Sequence, residues 1–142
     1  MKMNGYWVLQ PTNNQRRWPS EKRLWISQYI KEQIHNGGFA FGAFQNEKMV
    51  GFVCVEGTII DSYANLTMLF IDDDYKRKGI GRSLFEKAKK EALLIGARKL
   101  FVSSIPSEET ISFYFSVGCK DAEIIIPDFV DTETDRYMEM DL

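Results

Sequence analysis

The chain has few of the residues that build disulfide frameworks and metal sites. Its 142 residues include only two cysteines, Cys54 and Cys119, and one histidine, His35. Two cysteines do not make a disulfide framework, and a nucleophilic cysteine would need a histidine nearby. Neither Cys-x-x-Cys nor paired histidines occur, so no metal site is expected. We expect His35 to have a surface or capping role at the polar end of a first helix.

Two further absences exclude whole classes of partner. No apolar run approaches the ~18 residues that a membrane-spanning helix needs, and the first residues contain no apolar signal-peptide region. The net charge of −2 argues against general nucleic-acid binding, because such domains usually carry a strong basic excess. The sequence therefore predicts a cytoplasmic protein that binds neither membrane nor nucleic acid.

Length and composition fit one domain. A chain of 142 residues with 44% hydrophobic residues is long and apolar enough to bury a core. No internal repeat, low-complexity tract or linker interrupts it. We therefore expect residues 1–142 to form a single domain.

Hydrophobic periodicity predicts alternating helices and strands. Strands are predicted at residues 6–10, 39–44, 49–55, 66–71, 99–105, 123–126 and 135–140, and helices at residues 20–35, 82–95 and 110–119. Residues 56–65 are predicted to connect the strand that ends at residue 55 to the next one. This order predicts an α+β fold with a layered, mixed sheet.

A loop with glycines and cations lies between the predicted strand 66–71 and the helix that follows. Residues 76–82 read Lys-Arg-Lys-Gly-Ile-Gly-Arg. The first N–H groups of a helix lack intrahelical acceptors and carry the positive end of the helix dipole, so they attract anions. Gly79 and Gly81 carry no Cβ atoms that would keep a ligand oxygen away, and the four cations add charge. The loop is therefore expected to hold phosphate.

Two commoner phosphate loops are excluded by spacing. A Walker A loop needs Lys-Ser or Lys-Thr after its second glycine, and the dinucleotide fingerprint needs a glycine where Leu84 stands. The simpler alternative is an ordinary helix start with a solvated basic rim.

The segment from Ile71 to Leu84 resembles the acyl-coenzyme A loop of the GNAT N-acetyltransferase superfamily. The family pattern is Arg or Gln, two residues, Gly, one residue, then Gly or Ala, and Lys76 takes the first place here. Residues 110–119 resemble the family's Phe-Tyr-x-x-x-Gly-Phe segment, with Cys119 replacing the usual aromatic. The resemblance covers roughly residues 50–142. It implies a GNAT-like central mixed, mostly antiparallel sheet flanked by helices.

This resemblance also implies a reaction and a cosubstrate. The reaction is transfer of an acetyl group from acetyl-CoA to a primary amine of a small molecule or peptide, by direct attack on the thioester and without a metal. Backbone amides of residues 78–83 would hold the diphosphate, and those of residues 69–71 would face the pantetheine arm and the thioester carbonyl. The implied cofactor-binding residues are Leu69, Phe70, Ile71, Lys76, Arg77, Lys78, Gly79, Ile80, Gly81, Arg82, Ser83 and Ser107.

Tyr114 matches the position of the family's tyrosine, which makes it the candidate general acid. A phenol with a pKa of about 10 is protonated at neutral pH and can give a proton to a departing thiolate. The alternative is an ordinary core aromatic, since Phe113 and Phe115 flank it.

The general base stays open at this point. Many family members carry a glutamate on the strand before the loop, but this chain offers Met68 and no carboxylate there. The alternatives are Glu56, Asp61, Asp72 or a water chain. The run Asp72-Asp73-Asp74 is better explained as a polar turn than as a metal site, because its charges would repel a nearby diphosphate.

We expect the acceptor amine to contact the first helix and residues 56–65. Aromatic residues of these regions would form a wall for a small amine, or else pack in the core: Trp18, Trp25, Tyr29 and Tyr63. An alternative function is a non-catalytic acyl-CoA-binding sensor or regulatory subunit of the same fold. The oligomeric state, a homodimer included, is left open.

Overall fold

The computed structural model describes the backbone of residues 20–104, 106–130 and 135–142, and the side chains within those ranges from residue 27 onward. The predicted strand at residues 6–10 and the side chains of Trp18 and Trp25 lie outside the described residues.

Three α-helices and six strands make up the described part of the chain. They follow in the order α1 (Ser20–His35), β1 (Phe39–Gln45), β2 (Lys48–Ile60), β3 (Tyr63–Ile71), α2 (Ile80–Leu94), β4 (Lys99–Ser104), α3 (Glu108–Ser116), β5 (Lys120–Asp121) and β6 (Arg136–Asp141). None of these helices is both long and apolar enough to cross a membrane.

The six strands form one mixed sheet. Their order across the sheet is β1-β2-β3-β4-β6-β5. Among the strands of the described ranges, only β3 and β4 run parallel, and the other neighbouring pairs are antiparallel. The predicted α+β fold with a mixed, mostly antiparallel sheet is confirmed.

Different helices cover the two faces of the sheet. On one face, Val53, Leu66 and Leu100 of β2, β3 and β4 pack in one cluster with Phe85 of α2 and Tyr114 of α3. On the other face, Phe52, Cys54, Met68 and Phe70 pack with Tyr29 and Ile30 of α1. Each large apolar side chain buried in this way contributes about 1.5–3 kcal/mol. The sheet therefore separates an α2–α3 side from an α1 side.

The predicted connection over residues 56–65 is wrong. β2 continues to Ile60, β3 begins at Tyr63, and the two residues pair across a tight hairpin turn. Asp61 and Ser62 form this turn with φ angles of 49° and 73°. Turns of this kind usually contain Asn-Gly or Asp-Gly, so Asp-Ser gave no hairpin signal in the sequence.

The predicted strand at residues 123–126 is also wrong. The strand before β6 is the two-residue β5, whose pairing with β6 ends at Asp121. Pro127, which has no N–H to donate to a sheet, starts a short 3₁₀ turn. The chain buries Ile126 and leaves Ile124 and Ile125 exposed.

Candidate active site

The parallel strands β3 and β4 separate halfway along their length. Their pairing runs from Tyr63 and Lys99 to Leu66 and Val102. β3 nevertheless continues to Ile71 and β4 to Ser104. The β4-facing edge of β3 therefore has backbone groups that β4 does not pair with.

A β-bulge in β3 lies where the strands separate. Val55 of β2 pairs with Leu66, and Cys54 pairs with Met68, so Thr67 is an extra residue in β3. The Thr67 hydroxyl donates to the Cys54 carbonyl at 3.3 Å. A bulge bends a strand and turns its side chains, and bulges are frequent next to active sites.

A cavity of ≈ 450 Å³ lies beside the separated strands, a usual size for a small-molecule site. It is lined from β3 by Leu69 and Ile71, from the loop and α2 by Tyr75, Lys76, Arg77, Gly79, Ile80, Gly81 and Arg82, and from α3 by Glu109, Thr110, Ser112, Phe113, Tyr114 and Ser116. Nine of the residues predicted from the sequence meet in this wall. Phe70, Lys78, Ser83 and Ser107 are not part of it.

The N-terminus of α2 offers free backbone amides to this cavity. Gly79 is the N-cap in a left-handed conformation, with φ of 83°, and no side chain caps the helix. Ser83 N–H donates to the Gly79 carbonyl at 3.0 Å, so the amides of residues 80–82 precede the first helical bond. The helix begins at Ile80, two residues before the prediction. No acidic residue stands in its first turn, which leaves the positive helix end for an anion.

The two glycines of the loop have different structural roles. A Cβ atom on Gly79 would meet nothing within 4 Å, so its left-handed backbone is what requires glycine. A Cβ atom on Gly81 would lie 3.1 Å and 3.3 Å from ring atoms of Phe113. Gly81 therefore lets α3 approach α2, in addition to the ligand access that the sequence suggested.

Cations surround the same helix end. Lys76 Nζ lies 2.7 Å from Glu109 Oε1 and 2.9 Å from Asp73 Oδ1. Arg82 donates to the Ser116 carbonyl at 3.3 Å, which ties α2 to the end of α3. The ammonium groups of Lys48 and Lys78 lie 5.8 Å and 5.6 Å from the ring centroid of Tyr75.

Tyr114 is both a packed aromatic and a wall of the cavity. It is 4% exposed, and its ring contacts Phe85 and Phe113 at centroid distances of 6.2 Å and 5.4 Å. Burial, with a smaller contribution from Cys119, raises the pKa of the Tyr114 phenol well above its ordinary value. The phenol therefore keeps its proton throughout the neutral range.

Two predicted cofactor-binding residues have evident structural roles. Ser107 is the N-cap of α3, where its Oγ accepts the Thr110 N–H at 3.2 Å. A serine three residues before the amide that it caps is a common pattern at the start of a helix. The Phe70 side chain packs on the α1 side of the sheet, which leaves only its backbone near the cavity.

The three carboxylates left open as bases lie in different surroundings. Asp61 is exposed in the β2–β3 turn. Asp72 Oδ1 accepts the Asp74 N–H at 2.9 Å and caps a 3₁₀ turn, as expected of a polar turn. Glu56 is partly buried, and burial raises the pKa of its carboxyl above the ordinary 4.5 despite a hydrogen bond from the Asn65 side chain.

Asn65 was not predicted as a candidate site residue from the sequence. The signal available for it was a single side-chain amide between the apolar residues Ala64 and Leu66. It is 4% exposed, and its Oδ1 has no hydrogen-bond partner in the described part of the chain. Ala64 and Leu66 face α2, so alternation directs Asn65 to the α1 side. Since Leu66 is the last residue of β3 paired with β4, Asn65 and Glu56 lie close to where the strands separate, behind the cavity.

Of the residues expected to form an aromatic wall, Tyr29 and Tyr63 have described side chains, and both contribute to packing. Tyr63 is 4% exposed and donates its hydroxyl to Glu139 Oε1 at 2.9 Å. Tyr29 of α1 packs against the cluster that contains Phe52 and Phe70. Within the described ranges, no three His, Cys, Asp or Glu side chains are grouped as metal ligands.

Separated parallel strands, an uncapped glycine start of a helix and a tyrosine on the next helix meet at this cavity. Residues 18–123 match the family described as "Acetyltransferase (GNAT) domain", and the chain belongs to this family.

Individual relatives agree with this assignment. An uncharacterised N-acetyltransferase of Methanocaldococcus jannaschii is 28% identical over 113 residues, which are 74% of this chain and 50% of that protein. The chain thus spans half the length of this curated relative. The PaiA N-acetyltransferase of Thermoplasma acidophilum, solved with coenzyme A, superposes with a TM-score of 0.67 at 23% identity, over 87% of this chain and 72% of its own. A GNAT-family acetyltransferase of Staphylococcus aureus gives 0.71 at 15% identity, over 88% and 81%.

Proposed function

We propose that this protein transfers an acetyl group from acetyl-CoA to a primary amine of a small molecule or peptide. The observation that carries the proposal is one cavity lined by the first residues of α2, by β3 beyond its pairing with β4, and by Tyr114. An acyl carrier with a diphosphate at one end and a thioester at the other fits this order of groups. The coenzyme A bound to the PaiA relative supports the same cosubstrate.

The pantetheine arm would bind where β3 and β4 separate. The arm contains amide groups, and β3 continues to Ile71 beyond Leu66, where its pairing with β4 ends. The arm would add to the β3 edge as an extended peptide does. This would bring the thioester carbonyl to the backbone amides of residues 69–71, which would stabilise the negative charge that develops on its oxygen.

Two proton transfers accompany the reaction. The amine nitrogen forms a bond to the acetyl carbon, the carbon–sulfur bond breaks, and the thiolate takes a proton from Tyr114. The amine must lose a proton, and we assign this transfer to Glu56, directly or through a water. Its partial burial, its contact with Asn65 and its place behind the separated strands support Glu56 over exposed Asp61 and over Asp72, which caps a turn.

A panel of primary amines tests the proposal. Each amine is incubated with acetyl-CoA, thiol release is followed, and mass spectrometry identifies the acetylated product. We expect turnover with at least one class of amine. Coenzyme binding without turnover on any amine would instead support the acyl-CoA sensor, which the absence of a carboxylate on β3 favours.

Replacing Gly79 with valine should weaken coenzyme A binding. Valine at a φ of 83° is strained by about 1–2 kcal/mol, and relief of this strain would move the amides of α2. Calorimetric titration with coenzyme A measures the effect. Gly37→Val is the matched control, because Gly37 has a φ of 91° and open space around its Cβ position at the end of α1. It should cost similar stability but leave coenzyme affinity intact, and equal affinity losses in both variants would contradict the assigned site.

A further inference from the structure

An ion pair connects the two sides of the cavity. Lys76 belongs to the loop after β3, Glu109 stands in the first turn of α3, and both line the cavity. Their charged atoms are 2.7 Å apart. Lys76 stands where the family pattern has Arg or Gln, next to the proposed diphosphate site. Its ammonium is therefore paired with a carboxylate at the place where the diphosphate is proposed to bind.

We propose that Glu109 and the diphosphate of the coenzyme compete for Lys76. Coenzyme binding would release Glu109 from the ammonium, and coenzyme departure would restore the ion pair. This inference rests on the proposed cosubstrate and is independent of the acceptor amine.

Glu109, and not Asp73, is the exchanging partner. Asp73 stands three residues before Lys76 on the same loop, and its side chain is 19% exposed. The Glu109 side chain is 57% exposed and belongs to a different element, so its contact with Lys76 is the one that the diphosphate can reach and replace. A retained Glu109 carboxylate would repel the diphosphate, whereas a displaced one gains hydration.

The exchange would make coenzyme binding weaker and release easier. Ion pairs at exposed positions are worth up to about 1 kcal/mol, so the competing pair should reduce coenzyme affinity by a small factor. Glu109 therefore acts on affinity through Lys76 and has no part in the chemical step.

Titration of coenzyme A into Glu109→Gln tests the proposal. We expect binding roughly two- to five-fold tighter than in the wild type, the range that an exposed ion pair allows. Glu108→Gln is the matched control, since Glu108 is the other acidic residue in the first turn of α3 and is not in the cavity wall. Both variants lose the same charge at the helix start, but only Glu109→Gln should tighten binding.

A double-mutant cycle with Lys76→Gln separates competition from general repulsion. In the Lys76→Gln background, Glu109→Gln should change coenzyme affinity little, because no ammonium remains to compete for. Acetylated pantetheine, which lacks the diphosphate, should show the same KM in the wild type and Glu109→Gln. An unchanged affinity in Glu109→Gln, or an equal gain in both backgrounds, would overturn the competition while leaving the proposed function intact. A wild type that does not bind coenzyme A would overturn both.

Discussion

Replacing Glu56 with glutamine is expected to lower kcat/KM for the acceptor amine by about 100-fold or more, the usual size of a general-base contribution. Glutamine keeps the size of the side chain and its contact with Asn65, but it cannot accept the amine proton. Steady-state kinetics with the best amine from the panel measures the loss. Coenzyme A affinity should change little, because Glu56 lies on the opposite side of the sheet from the diphosphate loop.

The pH dependence of kcat/KM shows whether Glu56 acts as a base. Burial raises the pKa of Glu56 above 4.5, so the carboxyl becomes protonated, and unable to accept a proton, at a higher pH than an exposed glutamate. In the wild type, kcat/KM should therefore fall as the pH drops through this raised pKa. The midpoint pH of this fall should be the same for amines of different pKa, and the fall should disappear in Glu56→Gln.

Asp61→Asn is the control for a general charge effect. Asp61 is an exposed carboxylate of the β2–β3 turn, so its removal changes the net charge by the same amount. It should leave the rate and the pH profile unchanged. Full activity in Glu56→Gln, or an equal loss in Asp61→Asn, would remove Glu56 from the role of base.

Replacing Tyr114 with phenylalanine is expected to lower kcat by about 10-fold or more, with coenzyme A affinity nearly unchanged. Phenylalanine retains the ring that packs on Phe85 and Phe113, and it lacks only the proton for the departing thiolate. Single-turnover kinetics and calorimetric titration together separate the chemical step from binding. An unchanged rate would make Tyr114 a packing residue, and a loss of thermal stability equal to that of a core truncation would point to a folding defect.

Most of the loop residues that line the cavity could be named from the sequence. Residues 76–82 are contiguous, and their glycines and cations have a chemical meaning that does not depend on distant contacts. Tyr114 could be placed because it follows on a short helix at a recognisable spacing. The structure adds the reason for Gly81, whose missing Cβ makes room for Phe113. Local patterns of this kind can be interpreted from the sequence without knowledge of the fold.

The surroundings of Glu56 could not be predicted from local pattern. The pairing of Glu56 with Asn65 depends on the β2–β3 hairpin, and the Asp61-Ser62 turn carries no glycine or asparagine to signal it. The bulge at Thr67 depends on the register between β2 and β3, and a short stretch of sequence does not determine this register. The Lys76–Glu109 ion pair joins residues 33 positions apart and follows only from the packing of α3 beside the loop.

A titration of isotope-labelled protein with coenzyme A, followed by the backbone amide signals in NMR spectra, tests the coenzyme site most directly. The amides of Ile80, Gly81 and Arg82 are expected to show the largest shifts, with smaller ones along residues 69–71 as the pantetheine arm adds to β3. Saturable binding that leaves these amides unmoved and shifts signals elsewhere would contradict the assignment of this cavity to the acyl carrier.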